Sequence, residues 1–231
     1  MADQDSTTDG PRRRSDGEQT HTAILAAAMR VASIEGLGSL TVGRLAEELG
    51  VSKSGVFAHF RSKQRLQQET IAAAGEVFER EVLGPGLAAP DGLARLEGLC
   101  EAYLSYVERG VFPGGCFFAH LLAEFDAQTG PVHDEVVTGQ RGWLGLLEGL
   151  VDTARQRGEL DPATDAGQLA FELYAPLELA NYLSTLHRDP AIVDRGRTAI
   201  RATIAAAAPP DDDRPQAVPS PPSDRPHPAA R

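Results

Sequence analysis

Two pairs of side chains have the types and spacing that proton transfer needs: His120 with Glu124, one helical turn apart, and His133 beside Asp134. Neither has the company that catalysis requires. The six histidines (21, 59, 120, 133, 187 and 227) never fall at a metal-binding spacing, no nucleophile elbow or glycine-rich phosphate loop occurs, and Cys100 and Cys116 lack CxxC spacing. Both pairs therefore read as polar groups of a surface or a cavity, and both cysteines as small buried apolar side chains. The expectation is a protein with no catalytic residues, no metal and no cofactor.

A different chemistry, neutralisation of phosphate, is written into residues 50–65, GVSKSGVFAHFRSKQR, which hold four cations (Lys53, Arg61, Lys63, Arg65) and no acid. The chain as a whole has a formal net charge of −11. Through Leu66, nine Lys and Arg stand against eight Asp and Glu, whereas the remaining residues hold 13 against 25. A neutral-to-basic head is thus joined to an acidic body, and a polyanionic partner explains why the head stays positive.

The elements that must present these groups follow a helical period. Ile24, Ala27, Ala28 and Val31, at i, i+3, i+4 and i+7, predict a first helix over about 18–35, ended by Gly36 and Gly38. Thr41 is placed to cap a second helix over 42–49, which Gly50 closes. Ser52 caps a third over 53–60, and Ser62 a fourth reaching about Leu83. After a break at GPGLAAPDG, helices are expected at about 91–109, 115–125, 131–157, 162–187 and 190–207. No alternating β-branched run is long enough for a strand, so the fold class is all-α, with about nine helices. The polar residues 1–17 and the Pro- and Asp-rich residues 209–231 read as a disordered arm and tail around a head at 18–65 and a larger domain at 66–208. No stretch approaches the roughly 20 apolar residues that cross a bilayer, and the N-terminus lacks an apolar leader, so the cytoplasm is the expected location.

Two short helices joined at a glycine suit a helix-turn-helix. Ala46 is expected at the helix crossing, Gly50 at the turn, and Val51 and Val56 against the first helix. What remains faces outward: Arg44, Ser52, Lys53, Ser54, Gly55, Ala58 and His59, short or cationic groups that fit base edges and phosphates. Ser52, Ser62 and Lys63 lie at helix N-termini, which attract phosphate. The segment LTVGRLAEELGVSKSGVFAHFRSKQRL resembles the DNA-binding motif of the tetracycline-repressor (TetR) family of transcription regulators, through Val51-Ser52, Phe57-Ala58-His59-Phe60 and Lys63. The resemblance implies a phosphate contact at Thr41 and a phosphate or base contact at Arg44. It further implies base reading by Lys53, Ser54 and Gly55, and backbone contacts at His59 and Lys63. Two departures stand out: Phe57 replaces the family's usual tyrosine, and Gly43 and Gly55 remove side chains. Thr41 and Ser52 serve equally as helix caps, His59 has the alternative of packing under the fourth helix, and Arg12–Arg14 has that of a merely solvated run.

In the larger domain, Leu169, Leu173, Leu177, Ala180 and Leu183 form one apolar side of the penultimate helix, with Phe171, Tyr174 and Tyr182 on a second. In the last helix Gly196, Ala199 and Thr203 form a small-residue strip. The two helices (about 162–187 and 190–207) are expected to pair two copies into a homodimer on a palindromic operator in double-stranded DNA. Tyr103, Tyr106, Phe117, His120, Leu121, Glu124, Trp143, Leu147, Tyr174 and Asn181 are candidates to line a small-molecule pocket. The function so implied is a sequence-specific regulator, a repressor released from its operator by a small molecule. The alternatives are a constitutive or activating regulator without an inducer, and a helical enzyme.

Overall fold

The computed structural model describes the backbone of residues 11–210, with side chains from Gly17 onward. Residues 1–10 and 211–231, most of the expected arm and tail, and the Arg12–Arg14 side chains lie outside it. Every regular element among the described residues is helical. Helix α1 spans Pro11–Glu35, beginning before the expected Glu18. The apolar stripe stops near residue 24, but Arg, Glu and Gln are strong helix formers and Pro11 sits at the first position, where its missing N–H costs nothing.

A 3₁₀ turn, Leu37–Ser39, leads to α2 (Val42–Leu49), α3 (Lys53–Phe60) and α4 (Lys63–Phe78). Each of these helices is capped as its sequence predicts: Thr41, Ser52 and Ser62 accept from the N–H groups of Arg44 (3.0 Å), Gly55 (3.2 Å) and Arg65 (3.1 Å). Gly50 takes the left-handed conformation (φ 65°) that closes α2. Ile24, Ala27, Ala28 and Val31 are buried with Leu45, Val56, Phe60 and Leu66 in one small core. Val51 is not part of it. Its side chain is 44% exposed, because the turn is held instead by its N–H donating to the Ala46 carbonyl at 3.0 Å.

The break expected at GPGLAAPDG comes later: α4 runs on through a π-helical turn, Glu79–Leu83, and a last turn, Gly84–Leu87. Then follow α5 (Leu93–Glu108), α6 (Phe117–Phe125), α7 (Pro131–Gln156), α8 (Ala166–His187) and α9 (Ala191–Ala206). Helix α5 packs on α7, α8, α9 and the π-turn, while α8 is sandwiched between α7 and α9. Leu173 and Leu177 of α8 are fully buried, each contributing on the order of 1.5–3 kcal/mol. Arg197 ties α9 to α5 through Glu101 (2.9 Å) and Glu108 (2.7 Å). Gly196, in the small-residue strip of α9, is buried within the chain, where a Cβ would come 2.9 Å from that of Ala180. The two cysteines are free and buried, as expected, and burial pushes the Cys100 thiol up to about 12 and that of Cys116 up to about 11.

Candidate nucleic-acid interface and cavity

The outer face of the head is built by α3. Lys53, Ser54, Gly55 and Ala58 are exposed, no acidic residue lies in this helix, and Phe57 leaves 55% of its surface open. Nothing inside the fold demands glycine at position 55, where a Cβ would meet only the Ser52 hydroxyl at 3.3 Å. The bare backbone there leaves room for something outside the protein to come close. Val51 and Phe57 flank Lys53 in the sequence as exposed apolar groups. The exposure of Val51 departs from the core position expected of it, since a valine after a turn glycine carries no signal of which way it points.

Not every cation of the head is free. Arg44 pairs with Glu35 at 2.8 Å and Glu48 at 2.9 Å, and Lys63 donates to the Gly38 carbonyl. Exposed ion pairs of this kind contribute roughly 0–1 kcal/mol, so a phosphate can draw Arg44 away from them. His59 is half-buried with its ring 5.8 Å from that of His21, which stacks on Phe60 (4.9 Å) and bonds Glu69 at 2.7 Å.

The second feature is a cavity of about 630 Å³ lined by α4, α5, α6, α7 and α8 and open to solvent on one side. Ile71, Gly75 and Phe78 of α4 form one wall, and Phe118, Leu121 and Leu122 of α6 another. Helix α7 adds Glu135, Gln140 and Trp143; Tyr103, Tyr174 and Glu178 close the far side. The Tyr103 hydroxyl donates to Glu178 Oε1 at 3.2 Å, whereas Glu178 Oε2 and Trp143 Nε1 are buried without a partner. Burial pushes the Glu178 carboxyl above its ordinary range, against the pull of hydrogen bonds from Tyr174 and Tyr103.

Head and cavity are joined through the 3₁₀ turn. The Glu124 carboxylate, on the same helix as Leu121 and Leu122, accepts from the N–H groups of Leu37 (2.7 Å) and Gly38 (2.5 Å). From the other side, α4 holds the carbonyls of this turn, with Gln67 donating to Leu37 at 3.1 Å beside Lys63 on Gly38. Gly114 adds a third tie: its backbone lies so close to the end of α1 that a Cβ would fall 1.6 Å from the Ser33 carbonyl oxygen.

These two features correspond to two family models. Residues 24–70 match the bacterial regulatory proteins of the tetR family, and residues 92–200 match the tetracyclin repressor-like C-terminal domain. The chain belongs to the TetR family. No curated protein sequence matches this TetR-family chain. Solved structures share its fold. A TetR transcriptional regulator from Chloroflexus aurantiacus is 24% identical with a TM-score of 0.76, the alignment covering 84% of this chain and 98% of that one. A transcriptional regulator from Saccharomonospora viridis in complex with choline is 20% identical (TM-score 0.65, 83% and 98% covered). The ketosteroid transcriptional regulator KstR2 of Mycobacterium tuberculosis is 16% identical (TM-score 0.58, 82% and 95% covered).

Of the pocket residues expected in this TetR-family protein, Tyr103, Leu121, Trp143 and Tyr174 line the cavity. The others are placed elsewhere. Tyr106, Phe117 and Leu147 are buried in the core beside it. His120 stacks on Tyr182 at 6.4 Å, and Tyr182 donates to the Ala119 carbonyl at 2.7 Å. Asn181 is fully buried and accepts from the Cys116 N–H at 2.7 Å, fixing the start of α6. Glu124 holds the head and so forms no acid–base pair with His120, and His133 meets Asp134 at 3.0 Å on the surface. The local sequence marks neither Glu178 nor Phe78 as a cavity residue. Phe78 belongs to the end of α4, and Glu178 is the one acid between Leu173, Leu177 and Ala180, a placement that marks a buried carboxylate once α8 is known to be covered there.

Proposed function

We propose that the protein is a homodimeric repressor that occupies a palindromic operator through α3 and leaves it when a small molecule enters the cavity. The observation that carries this reading is the sharing of walls: α4 and α6 both bound the cavity and both grip the turn from which α2 and α3 are suspended. A ligand that spreads these helices binds the two head orientations with different affinity, which is the condition for coupling. The Saccharomonospora viridis structure, with its choline, supports a small-molecule effector in this fold. The action is steric occlusion of a promoter and calls for no chemistry.

On the DNA side, Lys53, Ser54 and Gly55 read bases, with Val51 and Phe57 against thymine methyls, while Thr41, Ser52, His59, Lys63 and a released Arg44 hold phosphates. Two copies join through the outer side of α8, where Phe171 (62% exposed), Leu179 (57%) and Leu186 (76%) form a stripe with α9 beside it. No helix among the described residues is long and apolar enough to cross a membrane, which accords with work on DNA in the cytoplasm.

Retention of the DNA upstream of its own gene tests the reading. If a dimer neutralises about six to ten phosphates, affinity falls about 10³-fold or more between 50 and 200 mM salt. The double variant Lys53→Glu, Lys63→Glu, with an unchanged melting temperature, should lose retention at both salts. Unchanged retention by that variant refutes the reading.

A further inference from the structure

We propose that the effector of this cavity is an organic monocation with an apolar body, its charge held at Glu178 among the rings of Tyr103, Tyr174 and Trp143. The inference deepens the small-molecule reading above and rests on it. Three carboxylates line the cavity, Asp134, Glu135 and Glu178, and no Lys, Arg or His does. A carboxylate- or phosphate-bearing ligand would meet like charge without a single compensating base. Apart from Thr138 and Gln140, the remaining walls are mainly aliphatic and aromatic, so a purely polar solute gains little there.

Glu178 sets the sign of the charge. Its Oε1 accepts from Tyr103, the Tyr174 hydroxyl also lies against the carboxylate, its Oε2 is buried without a hydrogen-bond partner, and no cationic side chain of the described residues forms an ion pair with it. An uncompensated carboxylate at such a depth destabilises the empty protein, and glutamine would satisfy Tyr103 equally well. The charge is explained once a cation arrives from outside. The rings around it suit the same guest: Tyr103 and Trp143 lie 5.9 Å apart, each within 6.4 Å of Phe78, and aromatic faces attract cations through their quadrupoles. Asp134 and Glu135, on the first turns of α7, add negative potential along the wall. Asp134 meets His133 and Glu135 meets Gln68, and neither has a Lys or Arg partner among the described residues.

Trp143 is the single tryptophan of the chain, so its fluorescence reports the cavity directly. The full-length protein is titrated with two matched pairs: tetraphenylphosphonium against tetraphenylborate, and octyltrimethylammonium against octanoate. At least one cation should change Trp143 emission saturably while its anionic counterpart does not. Glu178→Gln, at an unreduced melting temperature, should weaken that cation at least about tenfold. Glu178→Asp, which keeps the charge, should preserve the preference for cations and guards against a fold defect in the first variant. Anions binding as tightly as cations, no binding by either cation, or an unchanged affinity in Glu178→Gln overturns the assignment. Retention of upstream DNA is measured on the same preparation. If DNA is held and the cations fail, the charge class falls and the regulator stands; if DNA is not held, the regulator reading itself falls.

Discussion

Removing the charge of Glu124 should loosen the DNA-binding head without touching the head. In the native protein this carboxylate accepts two backbone N–H bonds, from Leu37 at 2.7 Å and Gly38 at 2.5 Å. A hydrogen bond to a charged group contributes roughly 1.5–3 kcal/mol when sheltered and less when water competes. Here the Leu37 bond is partly buried and the Gly38 bond exposed, and the amide of Glu124→Gln retains one acceptor oxygen. The expected loss is therefore about 1–2 kcal/mol, or a fall in Tm of roughly 2–8 °C for a protein of this length. Calorimetry measures it. Gly38→Ala is the partner perturbation: its Cβ would stand 2.7 Å from Glu124 Oε1 and displace the carboxylate. If both act on one contact, the double variant falls short of the sum of the singles by 0.5 kcal/mol or more, about the smallest coupling a cycle resolves. In DNA-release titrations, Glu124→Gln should bind effector normally but need more of it to leave the operator. Additive singles together with a Tm within about 1 °C of wild type would refute the clamp.

Further expectations follow from the same packing. Gly114→Ala drives a Cβ into the Ser33 carbonyl and should cost at least about 2 kcal/mol of stability by chemical denaturation, more than a usual surface glycine change. Because burial raises the carboxyl of Glu178 above its unfolded value, the native state is penalised at pH values above that raised value. The penalty fades as pH falls through it toward the ordinary carboxylate range. Glu178→Gln should accordingly raise Tm at pH 7–8, by a margin that shrinks to nothing near pH 4.5; a margin independent of pH would contradict this. Leu179→Glu with Leu186→Glu, at positions 57% and 76% exposed in the single chain, should convert the dimer to monomers in analytical ultracentrifugation and abolish operator binding with the fold intact.

Much of this molecule is legible locally. Thr41, Ser52 and Ser62 stand directly before helices and cap them, Gly50 ends α2 with a positive φ, and the spacing of Ile24, Ala27, Ala28 and Val31 places the core face of α1. These depend on neighbours within one or two turns, which the sequence lists in order. Helix ends set by distant packing were less legible: α4 outruns its GPG segment because the π-turn buries Val82 against α5, and Gly196 serves a crossing with α8 that no strip of small residues reveals.

The amino-acid sequence by itself determined the all-helical class, the capped helix-turn-helix and the contrast between a basic reading face and an acidic body, since each rests on residue type and period alone. Tertiary structure decided which polar groups converge. It sent Glu124 to the amides of a turn more than 80 residues away in the chain and Asn181 to the start of α6, and it left Glu178 facing a cavity with half of its carboxylate unpartnered. Such choices turn on which surfaces are brought together when the apolar faces of several helices are buried at once, and that is a property of the packed whole.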